Sequence, residues 1–202
     1  MIARRGLLCA ALAATVLAAG TAYADNASPS ATISGFYDVL LSTMKDGTSL
    51  GFNGRSERLS AAIHSAFDLP LMTRLMVGPQ WANLTPDQQR QLVAAFSDFS
   101  VAVYASRFED YSGERFQVDG TPTPSTTGVI VHSKLLKSDG DPVQIDYLMR
   151  ANERGWQIID VFLSGTVSEL ATRRSEFSSV MRRGGAEALV DLLQKRAAQL
   201  RG

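Results

Sequence analysis

Residues 128–163 read GVIVHSKLLKSDGDPVQIDYLMRANERGWQIIDVFL, and this stretch decides the fold class. Runs at 128–136, 143–150 and 156–163 alternate with a period of two, the spacing of strands with two distinct faces. Ser138-Asp139-Gly140-Asp141 and Asn152-Glu153-Arg154-Gly155 separate them as tight turns, so the runs predict an antiparallel meander. In the middle run Val143, Ile145, Tyr147 and Met149 share one face, opposite Gln144, Asp146 and Arg150. Strict alternation in the last run puts Trp156, Ile158, Asp160 and Phe162 on one face and Ile159, Val161 and Leu163 on the other. A strand apolar on both sides belongs at the centre of a sheet with cover on each face. A shorter run at 115–118 adds a fourth strand.

Working outward, the period changes to 3.6. Upstream, Ile33, Phe36, Tyr37, Leu40, Leu41 and Met44 fall at helical spacing, and Lys45-Asp46-Gly47 ends that helix. Leu59, Ala62, Ile63, Ala66 and Phe67 mark a second amphipathic stretch. Asp68 is placed to cap a short helix from Leu69 to Val77, with Pro70 in its first turn and Gly78 at its end. Thr85-Pro86-Asp87-Gln88 is a capping box with proline at the first helical position. The helix it starts is expected to reach about Tyr111, with Leu92, Phe96, Phe99 and Val103 as its apolar stripe and Tyr104, Phe108 and Tyr111 adjoining. Downstream, one helix is expected from Ser168 to about Arg183, and Gly184-Gly185 breaks it from a last one carrying Leu189, Leu192, Leu193 and Leu200. Helices, meander, helices make an α+β domain without internal repeats.

The first 24 residues have the parts of a secretory signal peptide. Arg4 and Arg5 are the cationic start, Leu7 to Ala19 the uncharged apolar run, and Ala22-Tyr23-Ala24 the small residues before cleavage. The run is too short to span a bilayer. Residues 25–32 are small and polar, a flexible lead-in, and 33–202 form the single domain. Cleavage removes the sole cysteine, Cys9, and leaves 178 of 202 residues with 18 basic and 20 acidic side chains. A domain of net charge near −2 carries no footprint for nucleic acid or an anionic membrane, and one without cysteine has neither disulfides nor thiolate chemistry.

Few residues point to catalysis. His64 and His132 stand far apart with no metal-ligand spacing, and neither a phosphate loop nor a GxSxG elbow occurs. Asp160 interrupts an apolar face, where an unpaired carboxylate is costly. It is either a cavity base or the partner of Arg173 or Arg174, pinning the C-terminal helix to the sheet. Leu71, Met72, Leu75 and Met76, beside Trp81, make a flexible apolar face. Such a face suits either ordinary core or a cavity for an aliphatic ligand.

These pieces, taken in order, resemble the MlaC (toluene-tolerance) family. The resemblance runs through Phe67-Asp68-Leu69, Met72, Gly78, Trp81, Thr85-Pro86-Asp87-Gln88, Phe96 and Tyr104 to Tyr111. It continues through Ile145-Asp146-Tyr147, Gly155-Trp156-Gln157-Ile158-Ile159-Asp160-Val161 and Arg174-Ser175-Glu176-Phe177. Gly165-Thr166-Val167-Ser168-Glu169-Leu170 departs from the family's usual stretch and looks more like the hopanoid-associated HpnM branch. The resemblance implies an NTF2-like mixed fold whose sheet of four to five antiparallel strands and flanking helices enclose an apolar pocket. It implies a monomeric periplasmic carrier of a Gram-negative cell, taking hopanoid or phospholipid between an inner-membrane ABC transporter with an MCE-type subunit and an outer-membrane complex. It implies no cofactor, no metal and no enzymatic activity. It also moves Leu71, Met72, Leu75, Met76, Trp81, Phe96, Phe99, Val103, Tyr104, Phe108, Tyr147, Met149, Trp156, Ile158 and Phe162 from core to expected pocket wall. An NTF2-like enzyme using Asp160, or a ligand-free adaptor, are the alternatives.

Overall fold

The computed structural model describes residues 28–201; the expected signal segment, 1–24, lies outside them. Five helices and one sheet form an α+β fold. In chain order come α1 (Pro29–Lys45), α2 (Gly47–Ala66), α3 (Leu69–Val77), a 3-10 stretch (Gly78–Asn83) and α4 (Pro86–Arg107). Then follow β1 (Arg115–Ser125), β2 (Gly128–Leu136), β3 (Val143–Asn152), β4 (Gly155–Leu163), β5 (Val167–Ser168) and α5 (Glu169–Gln199). The strands lie in sequence order, all antiparallel, and the helices pack against one face of the sheet.

Local chemistry accounts for most boundaries. Ser28 caps α1, with Pro29 in its first turn, so residues 29–32 of the expected lead-in are helical. The Asp68 side chain accepts the Leu71 N–H at 3.1 Å. Thr85 and Gln88 close the capping box in both directions, at 3.0 and 3.2 Å. α4 stops at Arg107, four residues short of Tyr111. The buried Arg55 explains the stop: its guanidinium donates to the Ala105 carbonyl at 2.8 Å and to the Gly47 carbonyl at 2.9 Å. A cation on the last free carbonyls of a helix satisfies them and complements the dipole. Within α5 the backbone leaves helical geometry at Gly185, whose φ of 69° and ψ of −161° suit glycine alone, so two helical halves meet there, as the Gly184-Gly185 break predicts.

The sheet departs from the sequence expectation in two places. β1 runs to Ser125 instead of ending at 118, with a register shift between Asp119 and Thr123. Pro122 and Pro124 are tolerated because β1 is an edge strand. In β4 the register shifts so that Leu148 pairs with Asp160 while Met149 pairs with Ile158. One extra residue bulges the strand and resets the alternation. Ile158 and Val161 therefore face the helices together, and Asp160 and Phe162 turn to the other side.

The core fills the angle between helices and sheet. Ile33, Leu40, Leu59, Ile63, Met76, Leu92, Val131, Met149, Ile158, Phe177, Leu189 and Leu193 are almost wholly buried. A hydrogen bond crosses this apolar region between the Tyr37 hydroxyl and Ser133 Oγ, 2.6 Å apart, and Ser133 donates to the Ile145 carbonyl at 2.5 Å. Burial pushes the Tyr37 phenol up to about 12.

Candidate functional site: an apolar cavity with a charged rim

α4 lays one stripe of side chains along the space between helices and sheet. Phe96, Ser100, Val103, Tyr104 and Arg107 recur at three- and four-residue steps, the spacing that keeps one helical face in register. The facing sheet wall is Ile145 and Tyr147 of β3, Val161 and Leu163 of β4, and Phe116 of β1. Leu40, Ile63, Phe67, Leu69 and Met72 close the inner end. Together they line a concave, mostly apolar cavity, the kind of site that takes small hydrophobic ligands.

Aromatic rings hold this wall open. Phe36, Phe67 and Tyr104 meet edge to face, with centroids 5.3 to 5.7 Å apart. Tyr37 stacks on Phe116 at 4.2 Å, and Tyr104 stacks on Phe108 at 5.7 Å. Rings locked to one another resist collapse into the space beside them, as flexible aliphatic chains would not. The polarity changes only at the rim, where Arg107, Glu169 and Arg173 join the lining. Arg173 pairs with Glu169 at 3.4 Å and lies over the Phe99 ring at 4.9 Å. Its burial there lowers its pKa, and the nearby Arg107 adds repulsion.

Of the residues the sequence nominates for the wall, the structure brings Met72, Phe96, Val103, Tyr104, Phe108 and Tyr147 to the cavity. Met76, Met149 and Ile158 are solid core. Phe99 lies under Arg173 in a shallow groove outside the cavity. Trp81 lines a separate surface groove with Pro70 and Pro86, and Trp156 another beside Gly35 and Phe36. Leu71 is half-buried on α3, Leu75 is 38% exposed, and Phe162 faces away across the bulge. Sequence reasoning passes over Phe67, Phe116, Ile145 and Val161, and over the polar rim.

Asp160 has neither of its expected partners. Its carboxylate accepts from the Val161 N–H at 2.8 Å, the Leu170 N–H at 3.0 Å and the Ser168 hydroxyl at 2.6 Å. It does fasten α5 to the sheet, by capping the helix start and not by an arginine. Arg174 lies instead against Gly78. The histidines are locally engaged: His64 Nδ1 is 2.8 Å from the Ser60 carbonyl, and His132 sits between Asp146 and Thr123, 3.1 Å from each. Among the described residues there is no metal-binding cluster, and no helix is long and apolar enough to cross a membrane.

The same architecture is known in a complex with a phospholipid. A phospholipid-binding protein from Ralstonia solanacearum, solved at 1.53 Å in complex with a phospholipid, matches with a TM-score of 0.75 and 27% identity. The match covers 86% of this chain and 99% of that one. The family model described as MlaC protein matches residues 35–195, from α1 through the cavity walls and into the second half of α5. By that match across the whole of the described sheet and most of its helices, the chain belongs to the MlaC family.

Proposed function

We propose that the cavity holds the acyl chains of a lipid and that the protein carries that lipid between membranes. The observation that carries this reading is an apolar cavity in a fold shared, over 86% of the chain, with a protein that binds phospholipid. Burial of a tail is worth roughly 0.8 kcal/mol per methylene. A sixteen-carbon chain thus gains on the order of 12 kcal/mol before entropy is charged against it. No bond to the tail is needed, and release requires only a membrane or partner offering equal burial. Such a cargo suits an exported periplasmic protein, cut after Ala24. It would be loaded or emptied at an inner-membrane ABC transporter with an MCE-type subunit and at an outer-membrane complex. Phospholipid is the favoured cargo. The 165–170 segment keeps a hopanoid as the second reading.

A carrier fits better than an enzyme because Asp160, the one candidate base, spends both carboxylate oxygens on the start of α5. Native mass spectrometry of protein purified from a Gram-negative host should show one co-purified lipid, released on unfolding. Protein that is repeatedly empty and takes up none from vesicles would overturn the proposal. N-terminal sequencing of the exported protein should begin at Asp25.

A further inference from the structure

The cavity is apolar through its depth and cationic along one edge. Arg107 ends α4 one turn beyond Val103, and Arg173 lies one turn into α5 beyond Glu169. α4 and α5 pack side by side, so both guanidinium groups reach one rim. Both also line the shallow groove that runs outward from that rim past Phe99 to Leu200. Glu169 answers Arg173, while Arg107 makes no ion pair among the described residues. The rim therefore holds one positive charge in excess. The unpaired Arg107 is exposed and free to take an anion at the mouth, beside an Arg173 side chain that is only 19% exposed. The half-buried Tyr104 hydroxyl sits in the field of Arg107, Glu169 and Arg173, and no hydrogen bond to it is found among the described residues. Two guanidinium groups and a free hydroxyl are a donor set for a phosphate oxyanion.

Building on the reading of the cavity as an acyl-chain site, we infer that Arg107 and Arg173 form a headgroup subsite that prefers a lipid of net negative head over a zwitterionic one with the same chains. With the tails in the apolar space, the head is left at the mouth, where the phosphate meets the arginine forks. A zwitterionic head brings its own cation to a rim already positive, which weakens the same contact. Selection by charge is thus added to retention by burial.

The test is a competition. Lipid-stripped protein is incubated with vesicles of equal parts dioleoyl-phosphatidylglycerol and dioleoyl-phosphatidylcholine, re-isolated, and its bound lipid identified by native mass spectrometry. We expect phosphatidylglycerol to be enriched about tenfold, the scale of one charge-assisted hydrogen bond. Enrichment should fall toward one in Arg107→Gln and in Arg173→Gln and be kept in Arg107→Lys. It should also be kept in Arg90→Gln, which lies at the other end of α4. Arg107 is exposed, so its variants decide the matter even if Arg173→Gln does not fold. Equal uptake by the unaltered protein, or enrichment that survives both glutamine variants, overturns the subsite. Uptake of no lipid at all overturns the acyl-chain reading beneath it. Inorganic phosphate at millimolar level should leave the enrichment unchanged; displacement of phosphatidylglycerol by it would assign the arginines to a free anion and likewise overturn the subsite.

Discussion

Asp160 Oδ1 accepts the backbone N–H of Leu170 at 3.0 Å, and this bond joins the fourth strand to the first turn of the last helix. Its other oxygen takes the hydroxyl of Ser168, the residue that itself caps Ala171 at 2.8 Å. Asp160→Ala should therefore act on stability. Loss of a buried, charge-assisted cap costs about 2–3 kcal/mol, or very roughly 4–12 °C in Tm for a domain of this size. Calorimetry checks the shift, and vesicle uptake by the folded variant at low temperature should persist. Undiminished stability would show that the carboxylate has another task.

Filling the cavity separates lipid binding from folding. Val103 is half-buried on the cavity face of α4, and Val103→Trp would project an indole into the free space. Lipid recovered with the protein should fall at least about tenfold. Stability should drop by no more than the 1–3 kcal/mol typical of overpacking, because the added volume has room. Full lipid loading by this variant would mean that the chains lie elsewhere.

Gly47 cannot carry a side chain. A Cβ there would stand 2.0 Å from the Glu109 carbonyl oxygen, and the neighbouring Gly47 carbonyl is held by buried Arg55. Gly47→Ala must push α2 away from the end of α4, at a cost above about 2 kcal/mol. A denaturant melt should register this as a lower midpoint. An unchanged midpoint would show that the contact gives way freely.

Alkaline pH should destabilise the protein in part through Tyr37, alongside the buried phenols of Tyr104 and Tyr147. An unfolded phenol ionises near 10, whereas burial pushes the folded one up to about 12. A group raised in the folded state lends stability below the unfolded value and loses it as pH climbs through the folded one. Stability should thus decline between about pH 10 and 12. Tyr37→Phe should show a shallower decline there and, at neutral pH, a deficit of about 1 kcal/mol from the lost Ser133 hydrogen bond. Parallel pH profiles of the two proteins would contradict the assignment.

What could be read from the residues alone follows how local each signal is. The capping box at Thr85, the glycine break before Ala186 and the turn at Asn152 are written in adjacent residues, and the structure has all three. The second half of β1 is not, because prolines at 122 and 124 argue against a strand until its edge position is known. The bulge in β4 leaves no mark in the sequence: two isoleucines followed by an aspartate read as plain alternation, and Asp160 is assigned the wrong face. The rim is hidden for a different reason. Apolar patterning marks cavity walls, whereas Arg107 and Arg173 show themselves only by standing four residues from Val103 and Glu169 on helices that tertiary packing sets side by side. Trp81, Trp156 and Phe99 show the converse. Large aromatic side chains nominate themselves, but their direction is set by partners distant in the chain.

The bulge in β4 also divides the molecule into two chemical compartments. By turning its strand over after Ile158, it places the one carboxylate of that strand among backbone donors and leaves the facing chamber lined by hydrocarbon. Acyl chains entering that chamber, as proposed, meet only hydrocarbon along the fourth strand, so any selection by charge falls to the rim alone.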